Sequence, residues 1–129
     1  MGYRVVIRGQ LRYIIDPVPA PRLNRKSRFN PSKTALIERY HAYRDLIRVL
    51  HVEIPDSCFI RFEMPVPKRR HDRIGRQHTQ RPDLDNLLKG LLDSVFAEDA
   101  HVHRVLAEKV WALRGAIIIG ELVMEERDE

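Results

Sequence analysis

The sequence predicts an α+β fold: a single small domain with two main helices packed on a mixed or mostly antiparallel sheet, in the order strand, helix, strand, helix, strand, strand. Three observations carry this reading. In "CFIRFEM", Cys58, Ile60, Phe62 and Met64 alternate with Phe59, Arg61 and Glu63, the period of a half-buried strand. In "LDNLLKGLLDSV", Leu84, Leu87, Leu88, Leu91, Leu92 and Val95 recur at helical spacing. A chain of 129 residues is enough for one core and short for two, so one domain over residues 1–129 is expected.

The elements follow in order. Tyr3 to Asp16 carries Val5, Val6, Ile7, Leu11, Tyr13, Ile14 and Ile15, a strand bulged or turned at Gly9. Pro17, Pro19, Pro21 and Pro31 make the next stretch a loop. Ser32 is positioned to cap a helix whose stripe is Leu36, Tyr40, Tyr43, Ile47 and Leu50, ending at His51 to Asp56. The "CFIRFEM" strand, a basic loop from Pro65 to Pro82 and the second helix come next. Val102 to Leu113 and Ala116 to Met124 read as two strands of a hairpin, with Gly115 taking a positive φ in its turn. Trp111 and the four tyrosines fall on patterned positions and are expected in the core.

Composition excludes several classes. No apolar run approaches the roughly 20 residues that span a bilayer, and Arg4, Arg8 and Arg12 interrupt any signal-peptide core, so a cytoplasmic protein is expected. The lone Cys58 excludes an internal disulfide and a cysteine-based zinc cluster, leaving oxygen or imidazole as metal donors. The net charge of +5 is unevenly spread: Lys68, Arg69, Arg70, Arg73, Arg76 and Arg81 face only Asp72, and Arg22, Arg25, Lys26, Arg28 and Lys33 form a second group. Without interleaved aromatics, such groups suit a phosphate backbone better than stacked bases.

Carboxylates gather between these basic loops. Residues two apart within a helix diverge, but Pro82 places Asp83 at the N-cap, outside the first turn that Asp85 begins. Their side chains then sit about 3 Å apart along the axis. Two neighbouring anions call for a cation, and Mg²⁺, which takes a few carboxylate oxygens and keeps positions for water and phosphate, suits them. Lys89 and Asp93 share the same helical face as Asp85, and Asp93 lies roughly 12 Å beyond it, too far for a shared metal. Asp99 joins the pair if the chain doubles back after a helix ending near Asp93; a longer helix leaves it to come from a partner subunit or to belong to a more distant site.

Plainer readings stand beside these. Asp83 alone can be a cap with Asn86 as its polar partner, Lys89 and Asp93 an ordinary i,i+4 pair, and Asp99 a solvated turn. His71, His78, His101 and His103 lack the third close donor of a zinc site and read as ordinary polar positions.

"PDLDNLLKGLLD" followed by "EDAHV", with "PVPAPRLNRKSRF" before them, resembles the RusA-type Holliday-junction resolvases. The resemblance implies a Mg²⁺-dependent homodimer that nicks two strands of a four-way DNA junction. It implies Asp83, Asp85 and Asp99 as metal ligands and Lys89 as a catalytic cation. The alternative from another class is a non-catalytic nucleic-acid-binding module that uses only the basic loops.

Overall fold

The computed structural model describes residues 2–22 and 31–128. β1 (Gly2–Tyr13) is followed by α1 (Pro31–Val49), β2 (Ser57–Pro65), α2 (Leu84–Val95), β3 (Arg104–Ala112) and β4 (Ala116–Arg127). The α+β reading and its element order hold. No helix among the described residues is long and apolar enough to cross a membrane.

The expected hairpin does not form. The sheet runs β1-β4-β2-β3, with β2 parallel to β3 and antiparallel to β4, so β2 lies between the two strands expected to pair. The reason lies in β2 itself. Besides Cys58, Ile60, Phe62 and Met64, it buries Phe59 and Glu63 on its other face, so it is a central strand rather than a half-buried one. Such a strand needs a partner on each side. The short link from Leu113 to Gly115 crosses the end of β2, where the Val66 amide donates to the Ala112 carbonyl at 2.8 Å.

Gly115 is also used differently from the expectation. The positive-φ glycines are Gly9 and Gly75, whereas a Cβ on Gly115 would run into the Asp16 side chain at Oδ1. Close approach, not turn geometry, requires glycine there. Gly9, with φ 64°, marks the register shift between Arg8 and Leu11 where β1 pairs with β4, the bulge that the glycine predicted.

α1 begins at Pro31, so Ser32 lies inside the helix rather than at its cap, in keeping with the preference for proline at a first helical position. The middle of its stripe, Tyr40, Tyr43 and Ile47, is buried, while Leu36 and Leu50 at the ends are exposed. α2 buries Leu87 and Leu91 completely, each contributing about 1.5–3 kcal/mol by leaving water. Both helices pack with Cys58, Ile60, Phe62, Ile117 and Ile119 in one core. On β2 and β3 the opposite face carries the Arg61–Glu108 ion pair, at 2.5 Å, and Glu63 pairs with Arg12 of β1. Trp111, Tyr40 and Tyr43 are buried as expected, but Tyr3, on edge strand β1, is exposed.

Candidate active site at the start of the second helix

The basic loop after β2 folds back along the outer edge of β3. Gly75 and His78 donate backbone hydrogen bonds to the Trp111 and Lys109 carbonyls at 2.8 and 3.0 Å, and the Trp111 amide donates to the Arg76 carbonyl at 2.9 Å. The chain then crosses the cis Arg81–Pro82 peptide and enters α2. Asp83 occupies the N-cap with extended backbone (φ −68°, ψ 145°), and Asp85 lies in the first turn, as the proline predicted. The Asp83 side chain makes no capping hydrogen bond, so the capping-box alternative with Asn86 is not realised. Both carboxylates are exposed at the end of the helix where the backbone dipole favours anions.

The proline-rich loop completes the wall. Arg22 donates through its Nη2 to Asp85 Oδ2 at 2.9 Å and through its Nε to Asn86 Oδ1 at 2.6 Å. The Ala20 amide donates to the Asn86 carbonyl at 3.2 Å, tying this loop to the first turn of α2. Between the loop, α1 and α2 lies a groove of about 540 Å³ whose lining includes Arg22, Lys33, Arg39, Arg81, Asp83 and Asn86.

Lys89, Asp93 and Asp99 are not among the residues that line this groove. Lys89 holds Asp93 Oδ2 at 3.0 Å, the i,i+4 pair. Its ammonium is held above the usual lysine range, first by that hydrogen bond and by the Asp93 charge, with smaller pulls from Tyr40 and Asp99. α2 continues to Val95, with Phe96 as its C-cap, which leaves only three residues to reach Asp99. The doubling back needed a helix ending near Asp93. Among the described residues no three His, Cys, Asp or Glu side chains come together as metal ligands.

The donor chemistry at the pair nonetheless fits a hard divalent cation. Asp83 and Asp85 offer exposed carboxylate oxygens at a helix N-terminus, the few protein ligands that a cation retaining most of its waters needs. Arg22 holds a positive charge on Asp85 in the same place.

Of the expected phosphate contacts, Arg22 and Arg81 line the groove. Lys68, Arg69, Arg70 and Arg76 are exposed in the loop beside β3, with Arg70 paired to Asp72 at 3.2 Å. Arg73 is half-buried, its guanidinium 5.7 Å from the centre of the Trp111 ring. Arg25, Lys26 and Arg28 lie outside the described residues. His78, expected as an ordinary polar position, is buried with its ring 4.1 Å from that of Trp111. Burial, and then the nearby Lys109 charge, push its pKa down.

Three residues escaped the sequence reading. Lys109 donates from Nζ to the Gln80 and Pro82 carbonyls at 2.5 and 2.7 Å, fixing the turn that delivers Asp83. Arg39 reaches the groove from α1. A signal for it existed, since Lys33, Leu36 and Arg39 repeat every three residues. Gly90 lets α2 touch the proline-rich loop, because a Cβ there would meet the Ala20 amide nitrogen at 2.9 Å.

The fold and this site define a class: small α+β domains that present adjacent carboxylates at a helix N-terminus, beside a groove rich in arginine and lysine. The pattern of the family described as Endodeoxyribonuclease RusA matches residues 15–120, and the chain belongs to that family of Holliday-junction-resolving endodeoxyribonucleases. No curated protein matches the chain.

Proposed function

We propose that this chain is a Mg²⁺-dependent endodeoxyribonuclease that resolves four-way DNA junctions by paired nicks, acting as a homodimer in recombination and repair. The observation that carries the reading is the exposed pair Asp83 and Asp85 at the start of α2, at a groove lined by Lys33, Arg39 and Arg81. Asp83 and Asp85 hold the cation, with Asp99 as a third ligand from the turn after α2 or from the second copy. Once bound, Mg²⁺ supplies Lewis-acid polarisation of the phosphate and a more acidic water. Lys89 stays charged at neutral pH and exchanges Asp93 for a phosphate oxygen, acting as a point charge. The α2 N-terminus and the basic loops hold the junction arms by their phosphates.

A non-catalytic nucleic-acid-binding module is the rival. It draws on Arg22 already neutralising Asp85 and on the absence of a three-carboxylate group among the described residues. One assay separates the two. A synthetic four-way junction and a linear duplex are incubated with wild type or Asp85→Asn, in Mg²⁺ or EDTA. The nuclease reading expects paired nicks on the junction that disappear with EDTA and with Asp85→Asn, while junction binding persists. Binding without cleavage by the wild type in Mg²⁺ supports the module. Equal cutting of linear duplex removes the resolvase assignment and leaves a nuclease.

A further inference from the structure

We infer that Lys33 and Arg39 of α1, with Arg81, form a binding track for the sugar-phosphate backbone of one DNA strand beside the acidic pair. The nature of the polyanion rests on the nuclease reading above; the track itself rests on the groove.

Lys33, Leu36 and Arg39 stand at intervals of three along α1, on the wall of the groove opposite the start of α2. Leu36 is 43% exposed because it faces this groove rather than the core. It adds an apolar stretch, continued by Pro19 and Pro21, that suits the carbon skeleton of a sugar. Among the described residues no ion pair involves Lys33, Arg39 or Arg81, whereas Arg22 is offset by Asp85. Three cations against the one remaining carboxylate, Asp83, leave an excess of two positive charges on a concave wall. Like charges gathered in a recess repel, and an anionic ligand relieves that repulsion. Asp83 and Asn86 belong to the same lining, so a backbone lying in the groove passes beside the acidic pair.

The test measures junction binding in EDTA over a range of KCl concentrations for wild type, Lys33→Gln, Arg39→Gln, Arg39→Lys and Arg48→Gln. Removing a side chain that neutralises one phosphate lowers the slope of log Kobs against log salt by about one. The inference expects that drop for Lys33→Gln and for Arg39→Gln, a slope near wild type for Arg39→Lys, and no change for Arg48→Gln in the last turn of α1. Melting curves confirm that each variant is folded. Wild-type slopes in folded Lys33→Gln and Arg39→Gln overturn the track, even if the wild type nicks junctions in Mg²⁺. Lowered slopes in a chain that never cuts leave the track standing and remove the nuclease reading.

Discussion

Lys109 Nζ lies 2.7 Å from the carbonyl oxygen of Pro82, and it also holds the Gln80 carbonyl at 2.5 Å. One ammonium on β3 thus clamps the loop on both sides of Arg81, immediately before the Asp83 cap. Replacing Lys109 by Met keeps the stem and deletes both charge-assisted bonds, at a cost of about 2–3 kcal/mol. Urea unfolding should show that loss. A change below about 0.5 kcal/mol would mean that the carbonyls are satisfied without the ammonium.

Gly90 is the second fixed point of the site. Its carbonyl accepts the Tyr40 hydroxyl at 3.0 Å and the Ser94 hydroxyl at 2.6 Å, and its Cα faces the backbone of Val18 to Ala20. Alanine in a helix gains about 1 kcal/mol over glycine, but overpacking against backbone costs about 1–3 kcal/mol. Gly90→Ala is therefore expected to be net destabilising and to loosen the proline-rich loop. Chemical denaturation decides the sign, and a raised midpoint would refute the close-packing account.

His78 should make stability depend on pH. Its folded pKa lies below the ordinary 6.5, chiefly through burial and then through Lys109, so the fold favours the neutral ring. The unfolded chain then binds the proton more readily. The contribution is full above about 6.5 and is lost as pH falls from there toward the folded value. His78→Phe keeps a ring against Trp111 and removes the titration. The drop in unfolding free energy between pH 7.5 and 5.5 should be smaller in that variant than in wild type; equal drops would exclude His78 as a source.

Arg22 competes with a cation for Asp85. Both side chains are well exposed, at 64% and 74%, so the pair is worth about 0–1 kcal/mol. Calorimetric Mg²⁺ titration of the DNA-free protein should show Arg22→Gln binding up to about fivefold more tightly than wild type. Weaker binding in the variant would place the metal away from Asp85.

Much of this molecule was legible in the chain because it is local. The alternation in "CFIRFEM" marked β2, the apolar repeat marked α2, Gly9 marked the bulge in β1, and Pro82 set Asp83 at the cap. What was misread depended on partners far away in sequence. The hairpin between β3 and β4 had suitable spacing, yet β2 displaced it, because a strand buried on both faces gains more from two neighbours than from one. His78 reads as polar until β3 brings Trp111 beside it, and Gly115 reads as a turn until Asp16 is seen against it.

By itself the sequence determined the secondary elements, the placement of Asp83 and Asp85 at a helix start and the excess of basic side chains near them, since each follows from spacing within a few residues. Only the tertiary structure decided that Lys109 holds the entry to α2 and that Arg39 and Lys33 of α1 face the same groove as Arg81. Those relationships join segments tens of residues apart, and their geometry is set by the packing of helices on a sheet rather than by any local preference of the chain.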